Sequence, residues 1–460
     1  MKKYIFFVVG VMCTLLSHTA YAIDLNKSDA NIIGHVLEKK TGEHLPYMTV
    51  ALKGTTIGTM TDGTGHYFLK NLPEGEFILS VSAVGYKPQE RKVTLKRGKT
   101  LEENFELEED MVALDGVVVT ANRNETARRL APTLVKVVTP KLFDMTNSHT
   151  LSQGLVFQPG VRVENDCQNC GYSQVRINGM DGKYTQILID SRPIFSALAG
   201  VYGLEQIPAN MIERVEVVRG GGSALFGSSA IAGTVNIITK EPLRNSGSFA
   251  HSISNFDGSG SFDNNTTLNL SLVSSDNKMG AYIYGQNRHR SAWDSNGDSF
   301  SELPKLKNQT VGVNAYYRLS PYSKLNLEYH HMEEFRRGGN RFDLPPHIAE
   351  DANLNGSGEP GLVEQIEHSI NTGGLKFSAF SKDQKHAFNA YASAQHIVRD
   401  SYYSAYGHTT DFTGVLGAQY IYHFDKLFFM PSDLTGGVEF NHDNPVSYTH
   451  LRAHETLSDL

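Results

Sequence analysis

The chain has 460 residues, 40% of them hydrophobic, with 42 glycines, 21 tyrosines and a formal net charge of −7. That length holds about two to four domains, and the glycine and tyrosine content suits a β-rich protein with many turns. The mild negative charge and the lack of a basic stripe argue against nucleic acid as a partner.

The first element is a secretory signal over residues 1–22. Lys2 and Lys3 precede an apolar core, Ile5 to Leu16, and Ala20-Tyr21-Ala22 offers a small-x-small cleavage site, so the mature chain starts at Ile23. The apolar run is too short to span a bilayer. Cys13 lies inside that run and not at the cleavage site, which argues against a lipid anchor. Further on, no apolar run reaches about 18 residues. An exported chain of this kind is soluble or a barrel, because only helices and closed barrels satisfy their backbone in lipid.

Residues 23–110 read as a small β-sandwich. Strand-like runs are Ile33–Leu37, Thr49–Leu52, His66–Leu69, Glu76–Ala83 and Arg91–Leu95, separated by turn signals such as Thr61-Asp62-Gly63 and Leu72-Pro73-Glu74-Gly75. The phrase TDGTGHYFLKNLPEGEFILSVSAVGY resembles the carboxypeptidase-regulatory-like domain, a transthyretin-like sandwich with no catalytic residue. His35, His44 and His66 are scattered along this stretch and read as surface histidines. The acidic cluster Glu102 to Asp110 reads as solvating a strand end and linker.

Residues 111–123, MVALDGVVVTANR, read as a linker. The β-branched triplet Val117-Val118-Val119 is either one more sandwich strand or an extended segment kept free for a partner. LDGVVVTA resembles the TonB box, which pairs edge-on with a periplasmic energy transducer. The resemblance assigns the box to Asp115, Gly116, Val117, Val118, Val119, Thr120 and Ala121.

Residues 124–243 follow as a compact α+β unit. Ile212–Val218 and Gly233–Ile238 alternate at period two around the loop Gly220–Gly233, which holds five glycines. This string, IPANMIERVEVVRGGGSALFGSSAIAGTVNIITK, resembles the closing signature of the plug domain of TonB-dependent outer-membrane receptors, in which a cork sits inside a barrel of about 22 strands. VRINGMDGKYTQILIDSRPI resembles the middle plug motif, with Asn178-Gly179 and Asp190-Ser191 where the family more often has Arg-Gly and Asp-Gly. The resemblance implies that Glu213, Arg214, Glu216 and Arg219 latch the plug to the barrel wall. Ordinary ion pairs are the plainer reading of the same residues.

Cys167 and Cys170 form a C-x-x-C in this unit. A disulfide in an oxidising compartment, a metal site and a redox pair are all open, and no βαβ pattern surrounds them for the last. The resemblance puts the pair on a ligand-facing loop. The Gly220-Gly221-Gly222 run lacks the Lys-Ser/Thr of a phosphate loop. His330-His331 with Glu333-Glu334 lacks the helix-borne spacing of a zinc site.

Residues 244–444 alternate in segments of ten to fifteen residues. Val311, Val313, Ala315, Tyr317 and Leu319 share one face, with Gly312, Asn314, Tyr316 and Arg318 on the other. Leu325, Leu327 and Tyr329 oppose Asn326, Glu328 and His330 in the same way, and Leu375, Phe377 and Ala379 repeat the pattern. Apolar outside and polar inside is the pattern of a transmembrane barrel. Arg336 to Glu367 reads as a long outer loop. About eight or nine such segments are present, against the ~22 of a plugged transporter. Residues 445–460 break the alternation, and VSYTHLRAHET resembles a translated adapter read-through. The expectation is a fragment with a non-native tail that would not seal a barrel.

The expected fold is therefore all-β dominated: a transthyretin-like β-sandwich, an α+β plug, then a partial antiparallel transmembrane β-barrel. The resemblance implies a receptor that imports a scarce ligand, such as a ferric siderophore, haem, cobalamin or another metal complex. Its implied partners are outer-membrane lipid and a TonB-type transducer, with the N-terminal domain in the periplasm. It is not an enzyme, needs no cofactor, and its metal use is open. The alternative is a cell-surface binding or adhesin protein without transport.

Overall fold

The computed structural model describes residues 30–450, apart from 47, 63, 84–85, 110–116, 119, 121–125, 128–133, 168–171, 194–206, 222–225, 227–229, 259, 384 and 428–429. The signal-like segment and residues 451–460 lie outside the described residues. Among those described, no helix is long and apolar enough to cross a membrane.

The N-terminal sandwich holds β1 (Ala30–Glu38), β2 (Thr49–Leu52), β3 (Gly58–Met60), β4 (His66–Leu72), β5 (Gly75–Ser82), β6 (Gln89–Leu95), β7 (Thr100–Glu102) and β8 (Phe105–Leu107). One sheet has the order β4-β1-β7 with β8 also beside β1, and the other β3-β2-β5-β6. Period-two alternation turns Ile32, Val36, Leu79 and Val81 into the shared core, all fully buried. Each such side chain stabilises the sandwich by roughly 1.5–3 kcal/mol. The acidic stretch expected to be solvated, Glu102 to Asp110, takes in the end of β7 and the whole of β8. Phe105 and Leu107 alternate with glutamates and are buried, so the acidic residues occupy only the outer face.

The next unit holds β9 (Val117–Val118), β10 (Thr126–Ala127), β11 (Val135–Val138), β12 (Val161–Cys167), β13 (Tyr172–Ile177), β14 (Thr185–Ile189), β15 (Ile212–Arg219) and β16 (Gly233–Thr239). Its main sheet runs β11-β15-β16-β14, with β14 parallel to β16. Short helices Pro140–Met145 and Leu151–Leu155 cover it. The core of Leu151, Ile177, Val215, Val235 and Ile237 extends outward to Tyr282 and Tyr284, which belong to the following sheet.

That sheet is a nine-stranded meander: β17 (Ser246–Asn255), β18 (Phe262–Val273), β19 (Met279–Arg290), β20 (Lys305–Ser320), β21 (Ser323–Gly339), β22 (Val363–Phe380), β23 (His386–Tyr403), β24 (Tyr406–Leu427) and β25 (Met430–His450). Its faces are inverted relative to a soluble domain. Val311, Tyr317, Leu319, Leu327 and Leu375 are exposed, while Asn308, Thr310, Arg318, Arg336 and Thr372 are buried. That inversion suits lipid outside and a polar lumen. The expected loop Arg336–Glu367 is shorter, because β21 continues to Gly339 and β22 starts at Val363. Lumen-facing strand residues are as polar as loop residues, so composition hid the strand ends. Likewise β25 continues past Asn444 to His450, pairing with β24 through Tyr406, because backbone pairing does not require alternating side chains.

Three tyrosines lie over glycines on the neighbouring strand: Tyr284 opposite Gly312, Tyr316 opposite Gly280 and Tyr391 opposite Gly417. A Cβ on any of these glycines would strike the ring. The ring fills the groove that the missing side chain leaves. The sandwich docks at the short-turn end of the meander. The Thr56 N–H donates to the Pro321 carbonyl at 2.9 Å, and Tyr322 packs against the sandwich core. Gly312→Val should displace Tyr284 and cost about 1–3 kcal/mol, measured as a lower urea midpoint. An unchanged midpoint would mean that the ring moves without loss.

Candidate functional site

The four expected latch residues lie on β15, where one expected box residue, Thr120, meets them. On β15, Glu216 is flanked by Val215 and Val217 and is fully buried. A buried carboxylate is tolerated only if its lone pairs are filled. The Thr120 N–H and Oγ1 both donate to Glu216 Oε2, at 2.9 and 2.6 Å, and Arg214 Nε donates to Oε1 at 2.9 Å. Cross-strand pairing places Asn236 of β16 opposite Glu216. Its Nδ2 donates to Thr120 Oγ1 at 3.0 Å and to Ser191 Oγ at 3.1 Å, and its Oδ1 accepts the Ser191 N–H at 2.9 Å. Thr120, last but one of the expected box residues, is thus held in a buried polar pocket at 1% exposure.

The network continues through a tight turn. Asp190 and Ser191 both have positive φ, 45° and 66°, and Ile189 bridges Arg192 across them. Two successive positive φ values are what a type I′ hairpin demands. Asn178-Gly179 does the same, at 54° and 77°, between Ile177 and Met180. Both departures from the family pattern therefore fall on turns. Ser191 is the strained one, and its hydrogen bonds to Asn236 offset the roughly 1–2 kcal/mol of the left-handed conformation. Asp190 accepts the Thr239 N–H at 3.1 Å and the Thr239 hydroxyl at 2.7 Å.

Arg192 then crosses to the wall. Its guanidinium lies 2.5 Å from the Glu328 carboxylate of β21 and 3.8 Å from Asp190. Gly374 faces Glu328 on β22, and a Cβ there would sit 2.5 Å from both Arg192 Nη1 and Glu328 Oε1. Burial pushes the Asp190 carboxyl above the usual carboxylate range; Glu328 adds to this, and Arg192 opposes it. A second wall contact joins Glu241 to Lys324 at 3.0 Å and to Asn326 at 3.1 Å. A third is polar: Asn210 Nδ2 donates to Asn269 Oδ1 at 2.9 Å, and the Tyr282 hydroxyl donates to the Asn210 carbonyl at 2.9 Å.

Of the four expected latch residues, Arg214 is paired with Glu213 at 3.1 Å and with Glu216, all on β15. Arg219 lies against Gly160, where a Cβ would strike its guanidinium. The wall contacts just described run instead through Arg192, Glu241 and Asn210, which the sequence reading did not single out. Its usable clue was a polar Asn236 within an apolar strand. Nor is the expected box strand free: Val117 and Val118 pair antiparallel with Ala127 and Thr126. Backbone donors left single take the nearest acceptor, here a two-residue ladder. Asp115, Gly116, Val119 and Ala121 lie outside the described residues, as does Cys170. Cys167 ends β12 opposite Tyr172. The three sandwich histidines, expected to be scattered, come together, with ring centroids 4.9 to 5.8 Å apart.

Thr120→Val removes a hydroxyl donor from a buried carboxylate, at a cost of about 1.5–3 kcal/mol. Hydrogen exchange at Val117 and Val118 should speed up accordingly; unchanged exchange would place the restraint elsewhere. Asp190 supplies a pH test. Its raised pKa means that the folded chain keeps a proton the unfolded chain has lost, so its contribution to stability falls as pH rises through that window. Asp190→Asn should gain in melting temperature relative to the parent as pH rises above the ordinary aspartate value of about 3.9. A gap that does not change with pH contradicts the assignment.

Comparison with known proteins fits this geometry. Residues 32–119 match the CarboxypepD_reg-like domain, and residues 127–234 match the TonB-dependent Receptor Plug Domain. The Vitamin B12 transporter BtuB of Vibrio vulnificus (strain YJ016) is 32% identical over 229 residues, 43% of this chain and 37% of the relative. The siderophore receptor PirA from Acinetobacter baumannii superposes with a TM-score of 0.55 at 20% identity, covering 69% of this chain and 49% of that one. FpvA of P. aeruginosa, solved with bound pyoverdines, gives 0.57 at 15% identity, covering 74% and 46%. The chain spans about half the length of these solved receptors or less, and their likeness is one of fold. With a CarboxypepD_reg-like domain, a plug domain and an outward-apolar meander in that order, the chain carries the domains of a TonB-dependent receptor.

Proposed function

We propose that the protein is an outer-membrane transporter that imports a large metal complex, powered by a TonB-type transducer, with cobalamin as the first ligand to test. The observation that carries this reading is the clamp on Thr120: the residue following the valine triplet is held by the buried Glu216 of the plug sheet. In this reading β9 leaves its two-residue ladder with β10 and pairs with the transducer by strand addition, where backbone bonds supply the affinity. Tension then draws Thr120 out of its pocket. Glu216 is left as a buried carboxylate short of donors, a state costing several kcal/mol. Relief comes from rearrangement of β15 and β16, and through Ser191 and Arg192 the disturbance reaches Glu328 on the wall. Glu213, Arg214, Glu216 and Arg219 hold the plug sheet together until that point. The end of β12 at Cys167 marks the ligand-facing apex. The sandwich and short turns face the periplasm, and the 340–362 loop faces outward. Cobalamin leads because the relative with the vitamin is matched at 32% identity, whereas the siderophore receptors share only the fold.

Val118→Pro tests the coupling. Proline removes a backbone donor and cannot sit inside a paired strand. In cells expressing the protein from its own locus, cyanocobalamin should still bind the surface, while accumulation driven by the proton gradient should fall to background. Normal accumulation in the proline variant would remove this segment as the box. Failure of both binding and uptake with cyanocobalamin, but not with a ferric siderophore, would change the ligand class and leave the mechanism standing.

A further inference from the structure

We propose that His35, His44 and His66 form a transition-metal site on the outer face of the N-terminal sandwich, taking Zn(II) or Cu(II) through three imidazoles. Three different segments supply them. His35 lies on β1 beside the buried Gly34 and Val36, so alternation turns its side chain away from the core. His66 opens β4 directly opposite His35 in the antiparallel register. His44 bridges Leu37 in the segment leading to β2. Gly65 brings the last two together: its φ is 76°, and a Cβ there would sit 2.8 Å from the Cβ of His44. Any other residue would hold the two chains apart.

The resulting rings are 5.3 Å (His35–His44), 5.8 Å (His35–His66) and 4.9 Å (His44–His66) between centroids. With metal–nitrogen bonds of about 2.1 Å and tetrahedral angles, three imidazoles on one cation stand about 5 Å apart. The rings are thus already spaced for a shared ion. As they stand, their nitrogens do not all lie within 4.8 Å of one another. Loading therefore requires a ring to turn, and His44 is exposed and on an irregular segment.

A second observation concerns the tautomer. The Thr64 hydroxyl donates to the Asp62 carboxylate at 2.7 Å and lies 3.1 Å from His66 Nδ1. Having spent its one proton on Asp62, the hydroxyl accepts from Nδ1–H. That leaves the Nε2 lone pair of His66 free for a cation. An oxygen partner on the far ring nitrogen is the usual outer shell of a histidine ligand. Three neutral imidazoles without a carboxylate select Zn(II) and Cu(II) over Mg(II) and Ca(II), and Cu(II) binds tighter than Zn(II). The fourth position faces solvent and is open to water. Bound metal would clip the entry to β2 and the start of β4 onto β1.

The test uses the whole protein in detergent, dialysed against Zn(II) chloride alone or Cu(II) chloride alone. The expected result is one equivalent bound above the level of the triple variant His35→Gln/His44→Gln/His66→Gln. Each single variant should weaken binding at least tenfold, and Thr64→Val should do so about tenfold. Cu(II) electron paramagnetic resonance should show hyperfine coupling to several nitrogens. His251→Gln, on β17, should change nothing. Circular dichroism of each variant without metal checks that the sandwich is folded. Equal binding by the parent and the triple variant, with both folded, overturns the site, as does a Cu(II) spectrum with a single nitrogen.

Discussion

A strand whose outer face is apolar must turn its polar face inward, and every charge on that face then needs a partner. This constraint organises the rest of the molecule. Arg318, Arg336 and Glu334 are buried on the inner face of the meander, where a soluble sheet would place leucine and valine. Some of the demand is met within the sheet, as by Asp263 with Arg288 at 2.6 Å. The plug meets more of it, through Arg192 with Glu328 and Glu241 with Lys324. Removing one partner of such a pair costs more than the pair contributes, because it strands a buried charge. The plug is thereby seated by polar contacts, while Tyr282 and Tyr284 extend its apolar core into the wall.

Polar seating suits the plug rearrangement proposed above. An apolar interface loses contact gradually as its parts separate, whereas a buried charge pair is either satisfied or not. The chain of contacts from Glu216 through Thr120, Asn236 and Ser191 to Arg192 and Glu328 is continuous in hydrogen bonds, the Ser191–Arg192 peptide link and one ion pair. Each member is fixed by a neighbour on another strand. The strained Asp190-Ser191 turn sits at its centre, and it is held there by Asn236 and Thr239, not by its own preference. This contiguous set is the route along which the proposed coupling runs.

The sandwich is built on the opposite principle, with an apolar core and a polar outer surface. It touches the barrel end through the Thr56 N–H and hydroxyl, which donate to carbonyls of the 320–321 turn, and through Tyr322. The histidine cluster lies on its outer face, between strands brought together by an antiparallel register. Its residues are 9 and 22 positions apart in the chain (44 − 35 and 66 − 44). No local spacing rule connects such positions.

Period-two alternation determined a great deal. It gave five of the eight sandwich strands, the β15–β16 pair, the outward faces at Val311–Leu319 and the count of segments, because burial of one face writes itself into neighbouring residues. The two small departures from the family pattern, Asn178-Gly179 and Asp190-Ser191, are where the backbone turns left. Sequence failed where the environment reverses the usual meaning of polarity: Arg336 to Gly339 read as loop because lumen and solvent favour the same side chains. It failed also for contacts across strands that the sequence does not order. Arg192 meeting Glu328, Glu216 holding Thr120 and three histidines sharing one patch depend on which strands become neighbours and in what register. Only tertiary structure decides that, since pairing energy is nearly the same for every register until side chains from distant segments meet.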